Sequence, residues 1–438
     1  MPMETYVLFD RNRVNIFLAY ISCSEFNNIR CVPLTLKSPV IFINLGSPVR
    51  DWTQRQELQI FGTGSIVRII IPFLREKGFR IEAIWGRTLA EVSEVATDLE
   101  IPFHTSRIDD VLLRKDVDLI FIMCSPSLHA QIAVKALGIG KHVVCDKPAG
   151  LSQSEALKMV RAAQYYPSLI SIVNHSLRFL PAFVHMKKSL EGGYLNGPVN
   201  VIEIRVHMGS LLHNGYDWLC DDTMGGGILA LVGSHVIDLI FHLIGQRASR
   251  VHAVVRTFTQ TTKHINGIRH VTSPDFCNFQ MELSGGTLVT ATLSNHLQGQ
   301  LSQEVLICGG GNHLLARGGD LHGCCNGQEE MLYRDTDNLQ DVSFPIADSI
   351  PRPYIKGLRN MIAALREAFQ SVEDKKGWIK EPVFSASTFE DGLYVQAVID
   401  ALRQSNKRRE WVKVNILTEE PDPNPLLSAA VRATAISI

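Results

Sequence analysis

Two short stretches of this chain place reactive residue types where chemistry could use them. The first is Gly140–Gly150, GKHVVCDKPAG, in which an apolar run ends abruptly in Asp146, Lys147 and Pro148. The run Val143–Cys145 is of strand length, delivers an amine to its carboxyl end, and is closed by a proline that cannot continue the pairing. An ammonium held there can orient a hydroxyl or stabilise a developing alkoxide by charge-assisted hydrogen bonding. The plainer alternative is a strand cap, a charged residue leaving the core. The second stretch is Gly62-Thr63-Gly64, between an apolar strand at 58–61 and a helical run that starts, after Ser65, at Ile66. The first glycine permits a tight turn, the second lets backbone amides approach a pyrophosphate, and the helix N-terminus adds its positive dipole. The third position of a full GxGxxG is Val67 rather than glycine or alanine. Any strand-to-helix turn can hold two glycines; its place in the first βα turn favours nucleotide binding.

The end of the next strand, 80–85, bears on which nucleotide. An acid ~20 residues past the glycine turn would accept hydrogen bonds from ribose hydroxyls. The strand ends instead in Gly86-Arg87-Thr88. Arg87 can pair with a 2′-phosphate and Thr88 can donate to it, so NADP(H) is expected over NAD(H). If Arg87 is a solvated strand-end residue, NAD(H) remains possible.

These residues need elements to hold them. Strands at 58–61, 80–85, 117–123 and 142–145 are apolar throughout and alternate with helices at 66–78, 89–100 and 128–140. That pattern means a parallel sheet covered on both faces. Pro72 should kink the first helix, and Ser152 with Glu155 forms a capping box at the start of another. After about residue 167 the texture changes to alternating strands, with 199–210 the longest. The expected fold is α/β: an N-terminal Rossmann dinucleotide-binding domain, then an α+β domain with an open, mostly antiparallel sheet. The boundaries read as an unassigned extension at 1–56, the Rossmann domain at 57–167, the second domain at 168–417 and a tail at 418–438.

Composition excludes several classes. With 438 residues, two domains are the prior. Hydrophobic residues at 45% and charged residues at 20% describe a globular chain. A net charge of −1 with dispersed Lys and Arg gives no footprint for nucleic acid or a membrane surface. No apolar run is read as reaching the ~18–20 residues of a membrane span. The nine cysteines show no CxxC and no zinc spacing, so no metal is expected and free thiols in a reducing, cytoplasmic compartment are. Arg11 and Arg13 before NIFLAYISCS weakly imitate a signal peptide, which leaves secretion as the alternative.

The ordered motifs FGTGS, SPSLHAQIAVKALGIGKHVVCDKPAG, RFLPAF and MGGGILALVGSHVIDLIFHLIG resemble the glucose–fructose oxidoreductase / inositol 2-dehydrogenase / MocA superfamily over residues 58 to about 415. Within it the likeness is strongest to the animal branch of proteins carrying a glucose–fructose oxidoreductase domain. The resemblance implies that Lys147, in the family's Glu-Lys-Pro motif with Asp146 replacing Glu, reaches both cofactor and substrate. Pro148 commonly follows a cis bond there. It implies that His235 is the catalytic histidine, suited to take a proton because its free pKa lies near neutrality. It places Ser125 and His129 near the cofactor, and Asn174 and Arg178 near the substrate. Asp222, with Asp221, is either a further carboxylate for substrate or half of a solvated loop pair. Trp218 either stacks on a sugar ring or sits in the core. One departure bears on turnover. Many members carry Asp four residues before the histidine, where this chain has Leu231. Asp238 shares a helix face with His235 and is either a substitute or structural.

The function this implies is hydride transfer between a nicotinamide and a secondary alcohol or carbonyl of a sugar, polyol or related small molecule, by a homo-oligomer joined through its C-terminal sheet. The alternative is a catalytically impaired nucleotide-binding protein with a scaffolding or extracellular-matrix role.

Overall fold

The computed structural model describes residues 57–419 except 213–214, 266–267, 298, 300, 337–349 and 370–380. It also describes three strands nearer the N-terminus: β1 (Met3–Phe9), β2 (Ile16–Ser22) and β3 (Ile43–Asn44), which form a small antiparallel sheet in the order β2-β1-β3. The rest of the extension expected at 1–56 lies outside the described residues, as does most of the expected tail.

From residue 57 the chain alternates strand and helix: β4 (Glu57–Phe61), α1 (Ser65–Glu76), β5 (Arg80–Trp85), α2 (Leu89–Asp98), β6 (Phe103–Thr105), α3 (Ile108–Leu112), β7 (Leu119–Ile122), α4 (His129–Gly138), β8 (His142–Cys145), α5 (Gln153–Tyr165) and β9 (Ser171–Val173). All the pairings among β4–β9 are parallel. The central strands β7 and β8 are buried along their length because helices cover both faces. Local sequence starts the helices as anticipated, with small differences. The Ser152 hydroxyl accepts from Glu155 N at 3.3 Å, while the Glu155 carboxylate accepts from Leu151 N at 2.7 Å, one residue earlier than a capping box requires. Helix α1 runs through Pro72 to Glu76 without interruption.

The second sheet follows: α6 (Pro181–Glu191), β10 (Val199–His207), α7 (Ser234–Ile244), β11 (Ala248–Arg256), β12 (Phe276–Leu283), β13 (Leu288–Ser294), β14 (Ser302–Gly309), β15 (Asn312–Arg317), β16 (Asp320–Cys325), β17 (Gln328–Tyr333), α8 (Arg352–Phe369), β18 (Ser387–Thr388), α9 (Phe389–Arg408) and β19 (Val412–Lys413). Nine strands pair in the order β17-β16-β15-β14-β10-β13-β12-β11-β19, antiparallel except for β10 with β13. Along β10, Ile202, Ile204 and Val206 are buried while Glu203 and Arg205 are exposed, so one face packs and the other is open. The packed face meets Phe183 and Met186 of α6, Val236 and Ile240 of α7, and Val398 of α9 in one core. Strands β16 and β17 pair as an antiparallel hairpin with one register shift between Leu321 and His322.

Two expectations change. The boundary at residue 167 puts β9 in the second domain, yet β9 pairs with β8, and β18 returns from far along the chain to pair antiparallel with β9. The segment Asp222–Ile244 is long and apolar enough to cross a membrane by length and composition, contrary to the sequence reading. Its apolar window is 83% buried inside the fold, where it serves as the central helix of the second core.

Candidate active site

The parallel sheet has the order β6-β5-β4-β7-β8-β9, so the chain reverses direction across it between β4 and β7. Open sheets of this kind bind ligands outside the carboxyl ends of the strands at that point. A cavity of about 450 Å³ lies there, between the strand ends and the second domain.

Gly62 follows β4 with φ +139°, and a Cβ on it would collide with the Met123 carbonyl at the end of β7. Its amide donates to Trp85 O at 2.9 Å. Only glycine fits this approach. Gly64 stands at the N-cap of α1 with no side-chain cap, no acidic residue follows in the first turn, and nothing would lie within 4 Å of a Cβ. The uncapped helix start opens on the cavity that Thr63, Ser65 and Ile66 also line, which is the form of an anion cradle. Val67 is fully buried under the helix, so the missing third glycine is filled by core packing.

Sequence reasoning missed two residues at this end. A Cβ on Gly86 would lie 2.7 Å from Thr63 Cγ2 and 2.8 Å from Val92 Cβ, so the glycine lets β5 end against the turn. Its signal was a glycine directly after a strand. Glu91 lines the cavity and accepts from the Thr63 hydroxyl at 2.5 Å. Arg87 is exposed at the cavity rim. Thr88 is not part of the lining; its hydroxyl caps α2 by accepting from Glu91 N at 3.3 Å.

At the other strand ends, Ser125 lines the cavity with its hydroxyl 3.0 Å from that of Ser127. His129 does not reach the cavity. Its fully buried ring stands 2.9 Å from Pro148 O and 3.0 Å from Cys124 O, bracing the ends of β7 and β8 against each other. The Lys147–Pro148 bond is cis. Asp146 and Lys147 line the cavity while Pro148 lies behind them. Asn174 donates to Asp146 Oδ1 at 3.1 Å, and its own buried Oδ1 has no partner among the described residues.

Lys147 Nζ donates to the Leu231 carbonyl at 2.9 Å. Leu231 lies in a single π-helical turn, Leu229–Gly233, that leads into α7. A turn of that kind breaks the regular pattern of helix bonds, and here one of its carbonyls meets the lysine. Burial pushes the Lys147 amine below its ordinary pKa, partly offset by Asp146. His235, at the start of α7, lines the same cavity and is 3% exposed. Burial holds its imidazole well below the ordinary range; Lys147 and then His175 push the same way, and Asp238 opposes them. The ring is therefore neutral near pH 7 and able to accept a proton. Tyr354 of α8, which sequence reasoning did not single out, lines the cavity and stacks edge-on against His235 at 4.9 Å between centroids.

Four carboxylate and guanidinium residues are spent elsewhere. Arg178 grips Asp238 with both arms, Nε to Oδ2 at 2.8 Å and Nη2 to Oδ1 at 2.6 Å, and also donates to Asp391 at 3.1 Å. Arg178 and Asp238 are buried and neither lines the cavity, so Arg178 does not face a substrate. Asp238 also accepts from Ser387 at 2.9 Å and is held far below the usual carboxylate range by His175 and Arg178 despite its burial. It makes no hydrogen bond to His235 among the described residues. Asp222 accepts from Arg403 at 2.8 Å outside the cavity, and Asp221 caps a short turn through Thr223. Trp218 does line the cavity.

A doubly wound parallel sheet, with a glycine cradle at its switch point and a second, mostly antiparallel sheet domain beside it, defines the class of NAD-binding Rossmann proteins with an appended α/β domain. The chain belongs within that class to the GFO/IDH/MocA oxidoreductase family. Residues 57–174 match its NAD-binding Rossmann model and residues 183–311 its C-terminal domain model. It is 46% identical over 385 residues to glucose-fructose oxidoreductase domain-containing protein 1 of Mus musculus, covering 86% of this chain and 98% of that one. It is also 46% identical over 377 residues to domain-containing protein 2 of Homo sapiens, covering 85% and 97%. Among solved structures, levoglucosan dehydrogenase in complex with NADH and levoglucosan superposes with a TM-score of 0.67 at 20% identity, over 83% of this chain and 100% of that one. A putative myo-inositol dehydrogenase from Sinorhizobium meliloti 1021 gives 0.62 at 18%, over 82% and 100%. At these identities the structural likeness is one of fold.

Proposed function

We propose that this protein is an NAD(P)-dependent oxidoreductase that interconverts a secondary alcohol and a carbonyl on a sugar, polyol or related small molecule. The observation that carries this reading is the meeting of Lys147 and His235, 88 positions apart in the chain, on the cavity that the glycine cradle opens into. The levoglucosan dehydrogenase complex, a sugar beside NADH in the same fold, supports it.

The cradle fits a dinucleotide. The backbone of Gly62, Thr63 and Gly64 and the start of α1 at Ser65 and Ile66 would hold the pyrophosphate. Arg87 at the rim would pair with a 2′-phosphate, which supports NADP(H) over NAD(H). The bound nicotinamide supplies the site that accepts or returns the hydride. Lys147, steadied by the Leu231 carbonyl, donates to the substrate oxygen and stabilises its developing negative charge. His235, neutral in its buried setting, takes the hydroxyl proton. The unpartnered Asn174 Oδ1 accepts from a neighbouring hydroxyl, and Trp218 offers a face to a sugar ring. The open face of the second sheet is the surface we assign to self-association. The seven described cysteines are free thiols, which supports a reducing, cytoplasmic setting.

One observation favours a rival reading. Position 231 offers a backbone carbonyl where a carboxylate would assist the histidine, as in a nucleotide-binding protein that no longer turns over. Thermal melts with NADPH and NADH come first. Cofactor at 100-fold over its Kd should add about 2.7 kcal/mol of stability, and Arg87→Ala should weaken NADPH about tenfold while sparing NADH. No shift with either cofactor overturns the proposal. Wild-type protein is then assayed on a panel of polyols and aldoses. Lys147→Ala should lose about 10²–10³ in kcat with cofactor binding retained. Binding without turnover on any member favours the rival.

A further inference from the structure

Beside His235, and outside the cavity lining, lies a second histidine that the reading above does not use. His175 follows β9, is 1% exposed, and stands edge-on to His235 with ring centroids 5.6 Å apart. Its Nδ1 is 2.9 Å from Ser387 Oγ and 3.1 Å from Asp238 Oδ1. The Ser387 proton is already directed at Asp238 Oδ1. Both neighbours of His175 Nδ1 therefore act as acceptors, and Nδ1 must carry a hydrogen. In the neutral ring, Nε2 is then a bare lone pair. That Nε2 is buried and has no partner among the described residues, and the same is true of His235 Nδ1. Two buried ring nitrogens on neighbouring rings thus lack partners, and while His175 is neutral one of them is an acceptor.

We propose that His175 is a positioning residue for His235, supplying what a side chain at position 231 does not: its Nε2 accepts the Nδ1–H of His235 through one bridging water, and so presents the bare Nε2 of His235 to the cavity. A histidine has one hydrogen to place when neutral. Placing it on Nδ1 leaves Nε2 free to act as the base. The proton that leaves the substrate hydroxyl bonds to Nε2 of His235, whose Nδ1 hydrogen stays in place. The resulting positive charge faces His175, backed by the Asp238 carboxylate. Arg178 and Asp391 complete that ionic cluster, while Lys147 and Tyr354 face His235 from the cavity side. The inference rests on the oxidoreductase reading for its use, but the orientation of His235 can be measured without turnover.

The test uses the full chain with ¹⁵N-labelled histidine, with His235 assigned by its loss in His235→Gln. At neutral pH the His235 signal should be that of the Nδ1–H tautomer. His175→Asn keeps a donor toward Asp238 and Ser387 but has no group at Nε2; it should move His235 to the Nε2–H tautomer. His175→Gln, whose amide reaches the Nε2 position, should retain the Nδ1–H form. Where turnover is present, His175→Asn should lose about 10²-fold in kcat with KM and cofactor affinity unchanged. An Nε2–H tautomer in wild type, or the same tautomer in wild type and His175→Asn, overturns the proposal. The predicted tautomer change in a protein that oxidises nothing upholds the positioning and overturns only the oxidoreductase reading.

Discussion

The two ends of the cavity are built by different means. The nucleotide end is shaped by backbone: Gly62 and Gly86 bring chain against chain where a single Cβ would collide, and the uncapped start of α1 supplies the donors. The other end is shaped by polar and charged side chains: Arg178, Asp238, His175, Ser387 and Asp391 bond to one another behind His235 and Lys147. A site made of backbone depends on conformation at a few residues. A site made of buried charge depends on every partner being present, because each member left alone is an uncompensated ion in a dry core.

That contrast can be broken most severely at Arg178. Arg178→Ala leaves the Asp238 carboxylate without its two-armed partner, and should lower the unfolding free energy by about 3–5 kcal/mol. Urea denaturation reads it; a loss under about 1 kcal/mol, the range of a surface pair, would mean that the corner is not held by this pair.

Acid probes buried imidazoles inside and outside the cavity. His142, at the start of β8, is 4% exposed, and burial alone pushes its imidazole down to about 4. Its Nδ1 accepts from Ile170 N at 2.9 Å, so protonation there breaks the bond. A histidine with a depressed folded pKa binds its proton more readily when unfolded, so stability is complete above the unfolded value and is lost as pH falls through the window to the folded one. Between pH 7 and pH 4 the His142 contribution should be on the order of 3 kcal/mol. His235 and Asp238 act in the same direction. Denaturation midpoints that do not fall across this range would show that burial at His142 is not felt.

Gly62→Ala gives the smallest effect on folding and sharpens the contrast from the other side. Strain at φ +139° should lower stability by about 1–3 kcal/mol. Nicotinamide nucleotide affinity should drop at least about tenfold, a loss that Arg178→Ala should not reproduce in whatever fraction remains folded. Equal affinities for Gly62→Ala and wild type would remove the backbone account of this end.

The same contrast explains what could be read from the chain beforehand. The apolar strands, the glycine turn and the strand that ends in Lys147 are signalled by neighbours in sequence, and they stand where the pattern puts them. Arg178 and His129 look like ligand contacts because the family resemblance puts polar residues after those strands beside the ligands. Their partners lie 60 positions away in Asp238 and 19 away in Pro148, and only folding shows that their bonding capacity is used. Tyr354 and Glu91 carry no local mark; they reach the cavity because α8 and α2 pack where they do. Leu231 reads as a loss from its side chain alone, since nothing in sequence shows that its carbonyl holds the lysine.

The short strand β18 has a consequence for how the molecule is made. It seals the edge of a sheet whose other strands lie between residues 57 and 173, and its Ser387 also bonds His175 and Asp238. Since chains emerge from the ribosome N-terminus first, the first sheet must wait more than two hundred residues with an unzipped border. Its last strand and the buttress behind the imidazole arrive in a single step. A nascent chain stalled before that point would have its glycine cradle formed and the buried polar cluster behind His235 unfinished.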